Sequence, residues 1–216
     1  MALIDVCYAF LETDSENIPA MNLRGFLGYL FINDPEFHHH SESSYHYPLV
    51  QYKKIDERLL VLGLNDYSKI VFDKISQLDK VVAEKEKHKI ASVELATETF
   101  TVKEEQTEYE FLSPWIALNQ KNYQTYQTLE KDERTRFLER IFVGNLLSVL
   151  KGLGIRIDFQ LLVRIKKIHP VQTQAHGNEF EGFLGTILTN VALPNYVGVG
   201  KSVSKGFGIL NRTKPN

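Results

Sequence analysis

Between Phe37 and Tyr52 the chain reads Phe-His-His-His-Ser-Glu-Ser-Ser-Tyr-His-Tyr-Pro-Leu-Val-Gln-Tyr, which gathers four of its seven histidines and three tyrosines into one stretch. An imidazole, with an ordinary pKa of roughly 6.5, both takes and gives protons near neutrality, so histidines beside phenols make a concentrated supply of acid-base groups. The spacing His38-x-His40 is also that of a hydrolytic zinc site, for which Asp34, Glu36, His46, His169 or His176 is available as third ligand. No second compact ligand motif accompanies it. The plainest alternative is a polar surface loop.

A second stretch of chemical interest is Gly198-Val199-Gly200-Lys201-Ser202-Val203-Ser204-Lys205-Gly206-Phe207-Gly208. Its Gly-Lys-Ser triplet is not a nucleotide-binding P-loop, because that motif needs a glycine five residues before Gly200, where the chain has Asn195. Glycines allow close backbone approach or positive φ, while Lys201, Ser202, Ser204 and Lys205 supply donors, a combination suited to a nucleic-acid backbone. The competing reading is a tight connection into the last strand.

The elements that must position these residues are legible as periodicities. From about Tyr47 the chain alternates, with Leu49, Gln51 and Lys53 on one side and Val50, Tyr52 and Lys54 on the other, so the histidines lie in a loop leading into a strand. Residues 3 to 11 form a buried strand. Pro19 suits the first turn of a helix capped by Asn17, with Leu23, Phe26, Leu27, Leu30 and Phe31 at helical spacing. After a strand at 58 to 64 comes a helix from about Asp66 to Val82, then strands near 90 to 95 and 99 to 112. The order β-α-β-β-α-β is the ferredoxin-like, or RNA-recognition-motif, arrangement.

The remainder repeats that order less completely. A strand from Phe111 to Leu118 precedes a helix from about Glu130 to Lys151, ended by Gly152 and Gly154. Strands at 161 to 175 and 179 to 190 flank a turn at His176-Gly177-Asn178, and a last strand lies near 206 to 212. Where a second helix belongs, the chain offers Pro194-Asn195-Tyr196-Val197-Gly198. The expected architecture is α+β: two tandem ferredoxin-like units, residues 1–112 and 113–216, the second abbreviated and ending in the Gly-rich loop.

Composition narrows the class. The chain has 216 residues and 43% hydrophobic content, enough for sizeable cores. No apolar run approaches the roughly 20 residues that cross a bilayer, and the N-terminus lacks a basic lead and a cleavage site, which predicts a cytoplasmic protein with no membrane partner. Cys7 is the only cysteine, which excludes a disulfide framework and thiolate zinc sites. Residues 1 to 139 hold 15 Lys and Arg against 24 Asp and Glu, whereas residues 140 to 216 hold 10 against 3. That asymmetry points to a polyanion-binding face built largely from the C-terminal third, or else to a solvated basic face.

The Gly198-x-Gly200 and Gly206-Phe207-Gly208 pattern at the end of such a chain resembles the signature loop of the RAMP superfamily of CRISPR-associated proteins. Leu23-Arg24-Gly25-Phe26-Leu27-Gly28, the histidine run and Tyr45 to Lys53 sharpen the resemblance to its precursor-RNA-processing endoribonucleases of the type I-B group. The resemblance implies cleavage of CRISPR repeat RNA without metal or other cofactor: a ribose 2′-hydroxyl attacks the adjacent phosphate, leaving a 2′,3′-cyclic phosphate and a 5′-hydroxyl. Two nearby histidines of opposite protonation can supply the base and the acid that this attack needs.

His38 and His40 are the expected catalytic pair, since alternate residues of an extended loop project the same way and both match histidines of the family's active site. Tyr47 matches a family tyrosine that would orient or donate to the scissile phosphate; His39 points oppositely. One departure is that the group can carry a lysine in the helix just before the histidines, and Gly28-Tyr29-Leu30-Phe31 offers none. Lys53, Arg24 or Lys205 is then the cation near the phosphate. Gly198, Gly200, Lys201, Ser202, Ser204, Lys205, Gly206, Arg24 and Lys166 are the expected RNA contacts, with CRISPR effector subunits and a second copy of the chain as further partners. The alternative within the same family context is an RNA-holding subunit that does not cut.

Elsewhere simpler readings lead. Trp115 and Phe111 lie in an apolar strand and read as core before base-stacking platform. Lys166, Lys167, His169 and Gln172 would line a groove or else blunt an edge strand. Glu84 to Lys89 is a solvated turn, and Arg24 is by default an exposed helix arginine.

Overall fold

The computed structural model describes residues 1–13, 18–31, 46–78, 90–175 and 178–213. They form two compact units, one of residues 3–100 with 204–206, the other of residues 1–2, 101–203 and 207–216.

The N-terminal unit runs β1 (Ala2–Thr13), α1 (Ala20–Leu30), β2 (Val50–Ile55), β3 (Arg58–Leu64), α2 (Asp66–Ile75) and β4 (Ile90–Val102). Its sheet order is β2-β3-β1-β4, the ferredoxin-like order, with β3 antiparallel to both neighbours. Register assigns the faces. Tyr52, Val61 and Ala9 form one cross-strand row, and Val50, Gly63 and Cys7 another. These rows meet Leu23 and Leu27 of α1 and Val71 and Ile75 of α2, whose apolar residues recur at helical spacing, in one core. The helix α1 opens directly after Pro19, which holds extended backbone (φ −65°, ψ 148°) at the cap position. α2 ends at Ile75, shorter than the expected run to Val82; residues 79–89 lie outside those described.

The opposite face of this sheet is covered as well. Val6, Leu60, Leu62, Gln51 and Lys53 are all fully buried. β2 is therefore the end strand of its sheet yet dry on both sides from Val50 to Lys53. Alternation predicts which residues share a face, but not that both faces are covered.

The C-terminal unit comprises β5 (Glu104–Phe111), α3 (Gln120–Thr128), α4 (Lys131–Gly152), β6 (Val163–Ala175), β7 (Asn178–Val191) and β8 (Leu210–Arg212). Its sheet order, β6-β7-β5-β8, repeats that of the first unit. β5, expected to close the first unit, instead pairs with β7 and β8. The segment expected as a strand from Phe111 to Leu118 is one bridge, Trp115 to Phe183, within irregular chain. Between β7 and β8 the described residues hold only a 3₁₀ turn, Val203–Lys205, so this unit is the abbreviated one.

α4 begins with a reciprocal cap in which the Glu130 side chain accepts from the Glu133 backbone and the Glu133 side chain accepts from Glu130 N–H. Its Leu138, Phe142, Leu146, Val149 and Leu150 are buried. Trp115 is core: it stacks on Phe111 at 5.5 Å, meets Phe142 edge-on at 5.2 Å, and donates its indole N–H to Asn145 Oδ1 at 2.9 Å. Among the described residues no helix is long and apolar enough to cross a membrane.

Candidate active site

The N-terminal part of the site is built on the entry to β2. Tyr47 is buried, 8% exposed, and its phenol oxygen accepts from Gln51 Nε2 at 2.8 Å. The same amide donates to the Pro48 carbonyl at 2.9 Å, so both its protons are engaged and its orientation is fixed. Gln51 is 0% exposed. His38, His39 and His40 lie outside the described residues, as do Asp34, Glu36 and His176 of the alternative metal set. His46 and His169 are exposed, and among the described residues no three metal-ligating side chains converge.

Two residues beyond Gln51, on the same face of β2, stands Lys53. It is 0% exposed, and its Nζ has no hydrogen-bond partner among the described residues. Burial lowers its pKa from the ordinary 10.5 to about 7, because a dry environment disfavours the ammonium form. Tyr52, on the core face, is likewise buried, its hydroxyl has no hydrogen-bond partner among the described residues, and burial drives its pKa far up against the opposing pull of Arg24.

The tip of the Gly-rich loop belongs to this unit. A Cβ on Gly206, whose φ is +90°, would lie 3.0 Å from Ala20 Cβ, 3.3 Å from the Tyr52 carbonyl oxygen and 3.7 Å from Lys53 Cα. The tip thus rests on α1 and on the β2 backbone at Tyr52–Lys53, and a glycine permits that approach. Lys205, beside it, and Arg24 of α1 are both half-buried. Burial and then the Arg24 charge hold Lys205 below its ordinary pKa. Arg24, Lys205 and Gly206, all expected RNA contacts, are in this way brought together.

The first part of the loop belongs to the C-terminal unit. A Cβ on Gly200, also at φ +90°, would stand 2.7 Å from Trp115 Cδ1, so glycine is required for the chain to cross the indole. Lys201 donates from its backbone to the Ile116 carbonyl and from Nζ to the Leu118 carbonyl, each at 3.1 Å, although the residue is exposed. Ser202 takes a positive φ of 56°. Gly198 forms a bridge to Ile209, and Ser204 is half-buried in the 3₁₀ turn. Lys166, on the end strand β6, is ion-paired with Glu108 of β5.

Sequence profiles of two domains match the chain almost end to end: the Cas6b N-terminal domain over residues 4–101 and the Cas6b C-terminal domain over 101–213. The chain belongs to the Cas6b family. A solved structure titled as a crystal structure of Cas6b superposes with a TM-score of 0.87 at 26% identity, covering 98% of this chain and all of that one. A second, of the CRISPR RNA processing endoribonuclease Cas6b, gives 0.75 at 27% identity over 97% and 100%. An uncharacterized protein of Methanocaldococcus jannaschii is 43% identical over 117 residues, 54% of this chain and 80% of that protein.

In this Cas6b-family chain, sequence reasoning singled out Tyr47 but not the amide that holds it. The available signal was the shared side of Gln51 and Lys53 in the alternating run. What alternation does not carry is their dryness, and with it the depressed pKa of Lys53.

Proposed function

We propose that the protein is an endoribonuclease that cuts CRISPR repeat RNA in antiviral defence, without a metal ion. The observation that carries this reading is the match of both Cas6b domains, joined to a histidine segment that leads into the buried, amide-held Tyr47.

The chemistry follows from the groups present. One imidazole of the His38/His40 pair removes the proton of the 2′-hydroxyl as that oxygen attacks the neighbouring phosphorus. The bond to the 5′-oxygen breaks, and the other imidazole, protonated beforehand, gives its proton to the departing oxygen. A 2′,3′-cyclic phosphate and a 5′-hydroxyl result, and no water enters the step. Tyr47 donates to a nonbridging oxygen of the scissile phosphate. Gly198, Gly200, Lys201, Ser202, Ser204, Lys205, Gly206, Arg24 and Lys166 hold the RNA backbone, with backbone N–H groups available wherever glycines let the phosphates approach.

The test is cleavage of the cognate repeat RNA in excess EDTA, comparing the natural strand with one carrying a single 2′-deoxy residue just upstream of the cut. Cleavage in EDTA that the deoxy residue abolishes is expected, and H38A or H40A should each lower the single-turnover rate by about a thousandfold or more, the upper range for a general acid or base together with loss of phosphate contacts. Cutting that stops in EDTA and returns with zinc would make the histidine run a metal site. Binding without cutting would leave an RNA-holding subunit.

A further inference from the structure

The outer face of α1 carries a glycine that folding does not ask for. Gly25 lies in the middle of the helix, without a positive φ, and a Cβ built on it would meet no atom within 4 Å. An alanine there would fit and would favour the helix, since glycine is among the poorest formers of a helix interior. One turn before it stands Met21 and one turn after it Tyr29, 50% and 68% exposed. Residues four apart share a helix face, so the three make one stripe: two exposed side chains with bare helix backbone between them. Leu23 and Leu27 of the same helix point the other way, into the core.

The flank of this stripe is positive. Arg24, the only charged residue of α1, adjoins Gly25, and its charge acts on both Tyr52 and Lys205, which places its guanidinium beside the loop tip. The tip itself touches α1 at Ala20, one turn before Arg24. No acid stands on the helix, and among the described residues no salt bridge pairs Arg24 with one. A basic margin beside an exposed aromatic ring suits single-stranded nucleic acid, whose phosphates take the cations and whose bases take the ring. A protein or membrane partner needs a broader apolar area than one phenol and one thioether.

We propose that Tyr29 is a stacking platform for one unpaired base of the repeat RNA, that Met21 closes the other end of the seat, and that Gly25 lets the nucleotide lie against the helix while Arg24 holds its phosphate. This rests on the RNA-cleaving reading and adds to it a place on α1 where a base, and not only the backbone, is gripped. Stacking tolerates any base, because each has a π face, so the seat fixes the position of the strand and not its sequence.

The experiment is equilibrium binding of wild type, Y29A, Y29F and G25A to the repeat RNA made uncleavable by a 2′-deoxy residue, with 2-aminopurine at one unpaired position at a time and the melting temperature of each protein measured alongside. Y29A should bind about tenfold more weakly, the scale for one base stack, with the salt slope of wild type, because the ring carries no charge. Y29F, which keeps the ring, should bind within about twofold of wild type. G25A should melt about 2–4 °C higher than wild type and still bind about fivefold more weakly, a gain in folding with a loss in binding that a structural glycine would not give. One 2-aminopurine position should be quenched by wild type and stay bright with Y29A. Y29A or G25A binding as tightly as wild type, a G25A that melts lower, a Y29F as weak as Y29A, or no position whose quenching depends on Tyr29 would each overturn the seat while leaving the cleavage reading intact. A change of oligomeric state in Y29A by light scattering, with RNA affinity unaltered, would make the stripe a contact between copies of the chain and overturn its assignment to RNA. Wild type that fails to bind the repeat would remove the RNA reading and the seat together.

Discussion

Gln51 Nε2 donates to the Tyr47 hydroxyl oxygen at 2.8 Å inside the covered face of the first sheet. The phenol is the acceptor in this contact, so Gln51 does not consume its proton. With its second N–H on the Pro48 carbonyl, the amide has one orientation, and Tyr47 is fixed through it. In the proposed reaction, a phenol held in this way is the donor to a phosphoryl oxygen on which charge develops.

Gln51→Leu should therefore lower the cleavage rate about tenfold while leaving KM near wild type, because the phenol remains but is no longer held. Tyr47→Phe should cost more, about a hundredfold, since it removes the donor itself. Single-turnover rates over a range of RNA concentrations separate the two quantities. Equal KM and rate for Q51L and wild type would show that Tyr47 is positioned by its other neighbours.

Lys53 also makes a prediction about stability. Its folded pKa is lowered to about 7 from 10.5, so between those values the unfolded chain binds more protons than the folded one. Stability then rises as pH is raised from about 7 towards 10.5, and is flat below 7, where both states carry the proton. The shift sets an upper limit of about 5 kcal/mol for the full change. Denaturant titrations at pH 6, 8 and 9.5 should show this rise in wild type and a flatter curve in K53M. Parallel curves for the two proteins would contradict it.

How much of this was legible in the residues can be seen along β2. The alternation from Leu49 to Lys54 predicts that Val50 and Tyr52 share one face and Gln51 and Lys53 the other, and the register agrees. The period of a strand says nothing about what covers its second face, so the dryness of Lys53 had no sequence signature. The same limit applies to β5. Its pattern gives a strand but not the sheet it joins, and hydrogen bonding to β7 and β8 carries it into the second unit. α3, with the polar run Gln120-Lys121-Asn122, lacks the apolar stripe that marks a packed helix, and its start is set by the Asn119 cap. The glycines of the loop were legible as backbone freedom. That Gly200 crosses an indole and Gly206 a strand backbone required the fold.

Gly200→Ala should be strongly destabilising. The added Cβ would stand 2.7 Å from Trp115 Cδ1 and 2.9 Å from the Ile116 carbonyl oxygen, at a φ of +90° that an alanine rarely adopts. Trp115 is hemmed in by Phe111, Phe142 and Phe183 and has no room to yield. A loss of about 3 kcal/mol or more is expected from the clash and the backbone strain together. Chemical denaturation followed by Trp115 fluorescence, the single tryptophan of the chain, reads it directly. A midpoint unchanged from wild type would mean that the loop crosses the indole less closely.

The cations expected to contact RNA differ in the charges beside them, and salt dependence should separate them. Lys166 is ion-paired with Glu108, so a phosphate that recruits it must compete with a carboxylate. Burial and then the Arg24 charge disfavour the charge on Lys205, and Arg24 and Lys205 should each release a counterion when a phosphate neutralises it. The slope of log affinity against log salt should fall by about 0.7 for Arg24→Ala and for Lys205→Ala on single-stranded repeat RNA, and by markedly less for Lys166→Ala. Lys166 and Glu108 together provide the control. If the ion pair is what restrains Lys166, Glu108→Gln should tighten RNA binding and steepen the slope, whereas a slope unmoved by E108Q would place Lys166 away from the RNA.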